Sequence, residues 1–133
     1  MMNGYCECRS VTLQIDGEIH DFSHCHCSQC RRLHGAAYAT FAGVTRNQFR
    51  HTSGEEALKS YASKKGHNRI FFSECGSNIM AELDDETDDY YVSMSAINDD
   101  PPRPVGYHIY VTSKAAWHEI TDDLAQYEND PAD

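Results

Sequence analysis

The sequence has no long apolar run, few basic residues and a single tryptophan, and each shortage removes a class of protein. Its apolar stretches span only a few residues, far short of the roughly 20 that a membrane-crossing helix needs. The segment Met1–Ser10 lacks the basic and apolar regions of a secretory leader, so a cytoplasmic protein with no membrane partner is expected. With 11 Lys and Arg against 21 Asp and Glu, the formal net charge of -10 repels phosphate backbones and argues against a nucleic-acid partner. Apolar residues make up only 40% of 133 residues. That is enough for one modest core, so something else is expected to help hold it.

What the chain does have is cysteine in close groups: Cys6-x-Cys8, then Cys25-x-Cys27-x-x-Cys30, then a separate Cys75. Residues two apart on an extended strand share a face, but their β-carbons lie well beyond the roughly 3.8 Å that a disulfide wants. Metal ligation tolerates that spacing, and three thiols within six residues suit zinc, whose bonds to sulfur are about 2.3 Å. Thiolates also bind Cu(I) and iron–sulfur clusters, but no four-cysteine cluster pattern is present, so one or two zinc ions per chain are expected. Three-cysteine zinc occurs in nucleoside deaminases with a Pro-Cys-x-x-Cys element. All four prolines here follow the last cysteine, which excludes that element. The paired knuckles of a zinc ribbon are missing too.

Short period-2 segments predict a mainly β chain of antiparallel strands. Val11–Ile15 alternates as Val-Thr-Leu-Gln-Ile, and further strands are expected at 37–42, 58–61, 69–72, 78–83, 90–94 and 107–111. Asp16-Gly17, Ser53-Gly54 and Lys65-Gly66 mark turns, and the acidic run 84–89 reads as a hairpin tip. Helices are expected to be short: Ser28–His34, capped by Ser28, and a brief segment from Ser113 to Trp117, capped by Ser113. A single zinc-binding domain over 1–127 with a frayed acidic tail over 128–133 is the expected organisation.

The set Gly4, Cys6, Cys8, then Cys25-His26-Cys27-Ser28-Gln29-Cys30-Arg31-Arg32, then Phe71–Ser77 resembles the glutathione-dependent formaldehyde-activating enzyme (GFA) family. Gly35, Ala36, Arg69, Cys75-Gly76-Ser77, His108–Val111 and Trp117 extend the likeness. The resemblance implies a β-tent fold, an open zinc position on Cys25, Cys27 and Cys30, and a structural zinc on Cys6, Cys8 and Cys75 with one more cysteine. It also implies a carbon–sulfur lyase-type activity, in which glutathione or a related thiol condenses with formaldehyde or another small aldehyde to give S-hydroxymethylglutathione or its analogue. In this chain Phe72 stands where the family has its fourth sulfur. Water, Glu74 or a histidine would have to complete that shell; otherwise the ion is weakly held or missing and apolar packing by Phe72 takes over part of its work.

The intact triplet has its own chemical logic. Three thiolates on a divalent ion leave a net charge of -1, which dampens water activation and suits a fourth soft ligand such as a substrate thiol. Glutathione carries two carboxylates. The segment 31–69 holds Arg31, Arg32, Arg46, Arg50, Lys59, Lys64, Lys65 and Arg69 against only Glu55 and Glu56, and from these Arg31 and Arg32 are the expected substrate anchors. His24, His26 and His34 flank the knuckle as candidate proton donors, with none singled out as the catalytic acid. The alternative is a non-catalytic, zinc-stabilised binding or scaffold domain of the same fold, in which a fourth protein ligand would seal the three-cysteine site.

Overall fold

Among the described residues the chain forms ten short strands and one α-helix; seven of the strands overlap segments that the alternation predicts, and all ten sort into two sheets. In the computed structural model the described residues are 1–64, 67–83 and 88–131. The strands are β1 (Met2–Tyr5), β2 (Thr12–Ile15), β3 (Asp21–Cys25), β4 (Ala39–Thr45), β5 (Phe49–Ser53), β6 (Leu58–Lys64), β7 (His67–Phe72), β8 (Asn78–Leu83), β9 (Asp89–Ser93) and β10 (Tyr107–Ile109), with helix α1 at Ser28–His34. Among the described residues, β1-β2-β5 make a three-stranded sheet and β10-β3-β4-β9-β8-β7-β6 a seven-stranded one. All pairs are antiparallel except β10 with β3, which run parallel.

In the middle strands of the large sheet, alternate residues face the small sheet. Ala42 and Val44 of β4, Val92 of β9 and Met80 of β8 join Met2, Leu13 and Ile15 of the small sheet in one buried cluster. The register Ala42↔Val92↔Met80 carries this row across three strands. A bulge between Ile70 and Phe71 lets Ile79 also turn inward. The intervening residues Phe41, Tyr91 and Ala81 face the other way and pack with Cys25, Cys30 and Ile109 in a second cluster. One strand pattern therefore builds the core on one face and frees the other for a site.

Gly4 is required by a close approach. β1 bridges to Ile97, and a β-carbon added at Gly4 would lie 2.2 Å from the carbonyl oxygen of Ala96.

Two expectations change. The cap of α1 is Cys27 rather than Ser28: its sulfur accepts the Cys30 N–H at 3.2 Å, because a thiol can fill the role of a capping oxygen while remaining available as a ligand. No helix runs from Ser113 to Trp117; a 3-10 turn covers Val111–Ser113, with Ser113 ending it rather than capping a new one, and Trp117 is exposed. Strands β1, β3 and β5 were not anticipated by the alternation. The turn expected at Lys65-Gly66 and most of the acidic tip at 84–89 lie outside the described residues.

Replacing Gly4 with alanine is expected to cost about 1–3 kcal/mol by overpacking against the 94–97 turn, read as a lower urea midpoint at unchanged slope.

A thiol cluster at the base of a cleft

The knuckle is fixed from three directions. Cys25 ends β3, where it pairs with Ala39 of β4 on one side and Ile109 of β10 on the other. The His26 N–H donates to the Ile109 carbonyl at 3.0 Å, and α1 starts at once from the Cys27 cap. Gly35 closes the helix in the left-handed region at φ 58°, its N–H returning to the Arg31 carbonyl. The result brings the three sulfurs of Cys25, Cys27 and Cys30 within 4.8 Å of one another. Cys25 and Cys30 are buried and Cys27 is half-buried.

The sulfurs share charge unequally. Cys27 is held far below the ordinary thiol value because Cys25 and Cys30 hydrogen-bond to it, with the Cys30 amide and the Arg69 cation adding to the effect. The same shared bonds push Cys25 up. Arg69 donates from Nη2 to the Cys30 sulfur at 3.4 Å and to Gln29 Oε1 at 3.0 Å, and its guanidinium lies over the Phe41 ring. Three converging thiols with a cation beside them are suited to a soft metal ion. The donor set therefore fits zinc: three sulfurs converge, and among the described residues no further histidine, carboxylate or thiol joins them.

The three cysteines line a cleft of about 590 Å³ on the free face of the large sheet. Its floor includes Phe41, Ala81, Tyr91, Tyr107 and Ile109. Lys64, His67 and Arg69 lie along the β6–β7 side, and Asp21, Asp89 and Asp130 on the side of β3, β9 and the C-terminal segment. Tyr107 donates its hydroxyl to Asp21 at 2.7 Å, and burial together with that carboxylate raises its pKa. Tyr110 takes the left-handed conformation at φ 56° at the rim, uncommon for a residue with a side chain.

Of the arginines that the basic segment offers as anchors, Arg69 alone lines this cleft. Arg31 and Arg32 lie on α1 and are not among the residues lining this cleft. Arg46 is paired with Glu82 at 3.0 Å and stacked on Tyr90, and Arg50 is paired with Asp16 at 2.9 Å. The candidate proton donors also lie off the cleft. His34 packs edge-on against Phe41, and burial, helped by Arg69, pushes it down to about 4. His24 donates to or accepts from Thr40 at 2.8 Å on the face opposite Cys25. Tyr91, Tyr107 and His67 carry no motif in the sequence beyond alternation with core residues, whereas Lys64 belongs to the basic segment 31–69 and Tyr110 to the 108–111 stretch of the family likeness.

His26 belongs to a buried relay behind the knuckle. Asp122 accepts from His108 Nε2 at 3.0 Å, which makes His108 Nδ1 the acceptor for His26 Nε2–H at 2.8 Å. Burial pushes His26 down to about 4, with His108 and His118 adding to the shift, so its ring is neutral at pH 7. Its Nδ1 then carries a lone pair with no hydrogen-bond partner among the described residues. The relay ties the C-terminal segment to the peptide between two of the three thiols.

The second thiol cluster is Cys6, Cys8 and Cys75, also within 4.8 Å of one another. Neither Glu74 nor a histidine joins it among the described residues. Phe72 is buried in the main core with Cys6, and Cys75 packs against that core.

Two sheets of short strands carrying two three-thiol clusters define a mainly β, cysteine-clustered domain. The sequence profile described as glutathione-dependent formaldehyde-activating enzyme matches residues 1–113, and the chain belongs to that family. The fold is also similar to the crystal structure of a Rhodobacter sphaeroides protein, with 24% identity and a TM-score of 0.63, covering 76% of this chain and 92% of that one. No described helix is long and apolar enough to cross a membrane.

Asp122→Ala is expected to lower stability because His108 loses its acceptor, while Asp122→Asn, whose amide oxygen can still accept, keeps a larger part; urea midpoints of the three proteins check the order.

Proposed function

We propose that the chain is a zinc-dependent carbon–sulfur lyase-type enzyme that joins a glutathione-like thiol to formaldehyde or another small aldehyde at Cys25, Cys27 and Cys30. The observation that carries this reading is that the three converging sulfurs lie in the wall of a cleft, with no fourth histidine, carboxylate or thiol in the cluster among the described residues. A purely structural centre would be sealed by such a ligand. Family membership supports the same chemistry.

Zinc on three thiolates supplies a soft acceptor with a place for one more sulfur, which favours the thiolate form of a substrate thiol at neutral pH. The protein's part is to bind and orient. Arg69 keeps a positive charge against the Cys30 sulfur and so offsets the negative charge gathered there. Lys64 and Arg69 offer cations to carboxylates, Asp21, which holds the Tyr107 hydroxyl, and Asp89, 3.1 Å from His20 Nε2, bring negative charge toward an ammonium group, and Phe41 and Tyr91 give an apolar floor. A tripeptide thiol with two carboxylates and one ammonium matches that distribution. In the reaction the substrate sulfur's electron pair forms a bond to the carbonyl carbon, and the π pair of the carbonyl moves to oxygen. That oxygen takes up one proton, equal to the one released by the thiol. The product is a hemithioacetal, and no oxidant or reductant is consumed.

The test follows formaldehyde and glutathione by NMR with and without zinc-loaded protein, because the uncatalysed addition is itself appreciable. The expected result is a rate above the background that Cys27→Ser returns to the background, with about one equivalent of zinc lost. Absence of acceleration, together with no calorimetric heat at millimolar glutathione, would sink the proposal.

A further inference from the structure

The Cys6, Cys8 and Cys75 cluster is built by two loops that face each other. On one side the 6–11 loop is closed by Cys6 N–H to the Val11 carbonyl at 3.0 Å and by Arg9 N–H to the Cys6 carbonyl at 2.9 Å, while the Val11 N–H reaches the Cys6 sulfur at 3.3 Å. On the other side the 72–77 loop is closed by Gly76 N–H to the Phe72 carbonyl at 2.7 Å and Phe72 N–H to the Ser77 carbonyl at 3.0 Å. Phe72 opens that loop, but its ring is spent in the core at 5% exposure.

A different side chain of the same loop reaches the thiols. Ser77 Oγ lies 3.3 Å from the Cys75 sulfur and accepts the N–H of Glu7, the residue between Cys6 and Cys8, at 2.9 Å. It thus spans the gap between the two loops. Two spacings lie near those of a tetrahedral shell, in which bonds of about 2.3 Å to sulfur and about 2.1 Å to oxygen put neighbouring sulfurs about 3.8 Å apart and a sulfur and oxygen about 3.6 Å apart. Cys6 and Cys8 sulfurs are 3.6 Å apart. Ser10 Oγ is 3.4 Å from the Cys8 sulfur, but it is exposed and belongs to the same loop as Cys6 and Cys8, so it closes no gap.

We propose that the Ser77 hydroxyl is the fourth donor of a metal centre at Cys6, Cys8 and Cys75, giving a three-sulfur, one-oxygen shell in place of four sulfurs. A neutral hydroxyl donates less charge to a soft ion than a thiolate does, so this centre exchanges its ion more readily than a four-thiolate centre. The inference concerns metal retention and is independent of the reaction proposed for the cleft.

Cadmium-113 NMR of the metal-exchanged full chain tests it, together with the rate of zinc release to a chelator. Two resonances are expected, neither in the four-sulfur range. Ser77→Cys delivers sulfur to the same vertex and is expected to move one resonance into the four-sulfur range, leaving the other in place. Ser77→Ala is expected to shift that same resonance and to speed zinc release about tenfold or more, and Phe72→Cys to slow release. The inference is overturned if Ser77→Cys yields no four-sulfur resonance, or if Ser77→Ala changes neither shift nor release, which would assign the vertex to water. It is also overturned if Ser10→Cys alone yields the four-sulfur signal, or if the cluster takes up no metal.

Discussion

The two-residue period of the seven-stranded sheet is the constraint on which the rest depends. It assigns Ala42, Val44, Val92 and Met80 to the core and Phe41, Tyr91 and Ala81 to the cleft without any change of backbone. A slip of one residue between β3 and β4 would exchange Cys25 with His24 and put a ring where the sulfur stands. Burial of the aliphatic row opposes such a slip, so the same apolar contacts that stabilise the domain also aim its chemistry.

The two thiol clusters solve different problems with the same residue. Cys25, Cys27 and Cys30 come from one turn and face a cleft with cations on one side and carboxylates on the other. Cys6, Cys8 and Cys75 come from chain segments far apart in sequence, beside a core built from few aliphatic residues. A ligand lost from the first would remove chemistry. Beside the second, Phe72 packs into the core and so adds apolar burial at the position where the family carries a further cysteine.

Much of this was legible from the residues alone. β8 has the expected ends, Asn78 and Leu83, because its apolar alternation is strong and an acidic run follows it. β3 was not legible. Its alternate residues Ser23 and Cys25 face the cleft, while His24 faces a cluster of rings, so neither side reads as apolar. β1 and β5 escape for similar reasons: Gly4 is there for backbone approach, and Arg50, Thr52 and Ser53 are exposed. The thiol clusters were visible as spacing, since Cys25, Cys27 and Cys30 share one turn and Cys6 and Cys8 another, to which only Cys75 is added from a distance. The roles of the arginines were not, because pairing of Arg46 with Glu82 and of Arg50 with Asp16 depends on strand neighbours rather than on sequence distance.

The knuckle and its brace differ in how far they reach along the chain. The three thiols sit within one hexapeptide, so they are gathered by a turn and a seven-residue helix. The bond from His26 to His108 joins residues 82 apart, and β10 beside β3 arrives from the same late segment. Closing so wide a loop is slow compared with closing a turn. The turn that gathers the thiols can therefore close before the wall behind it, which waits for the last quarter of the polypeptide.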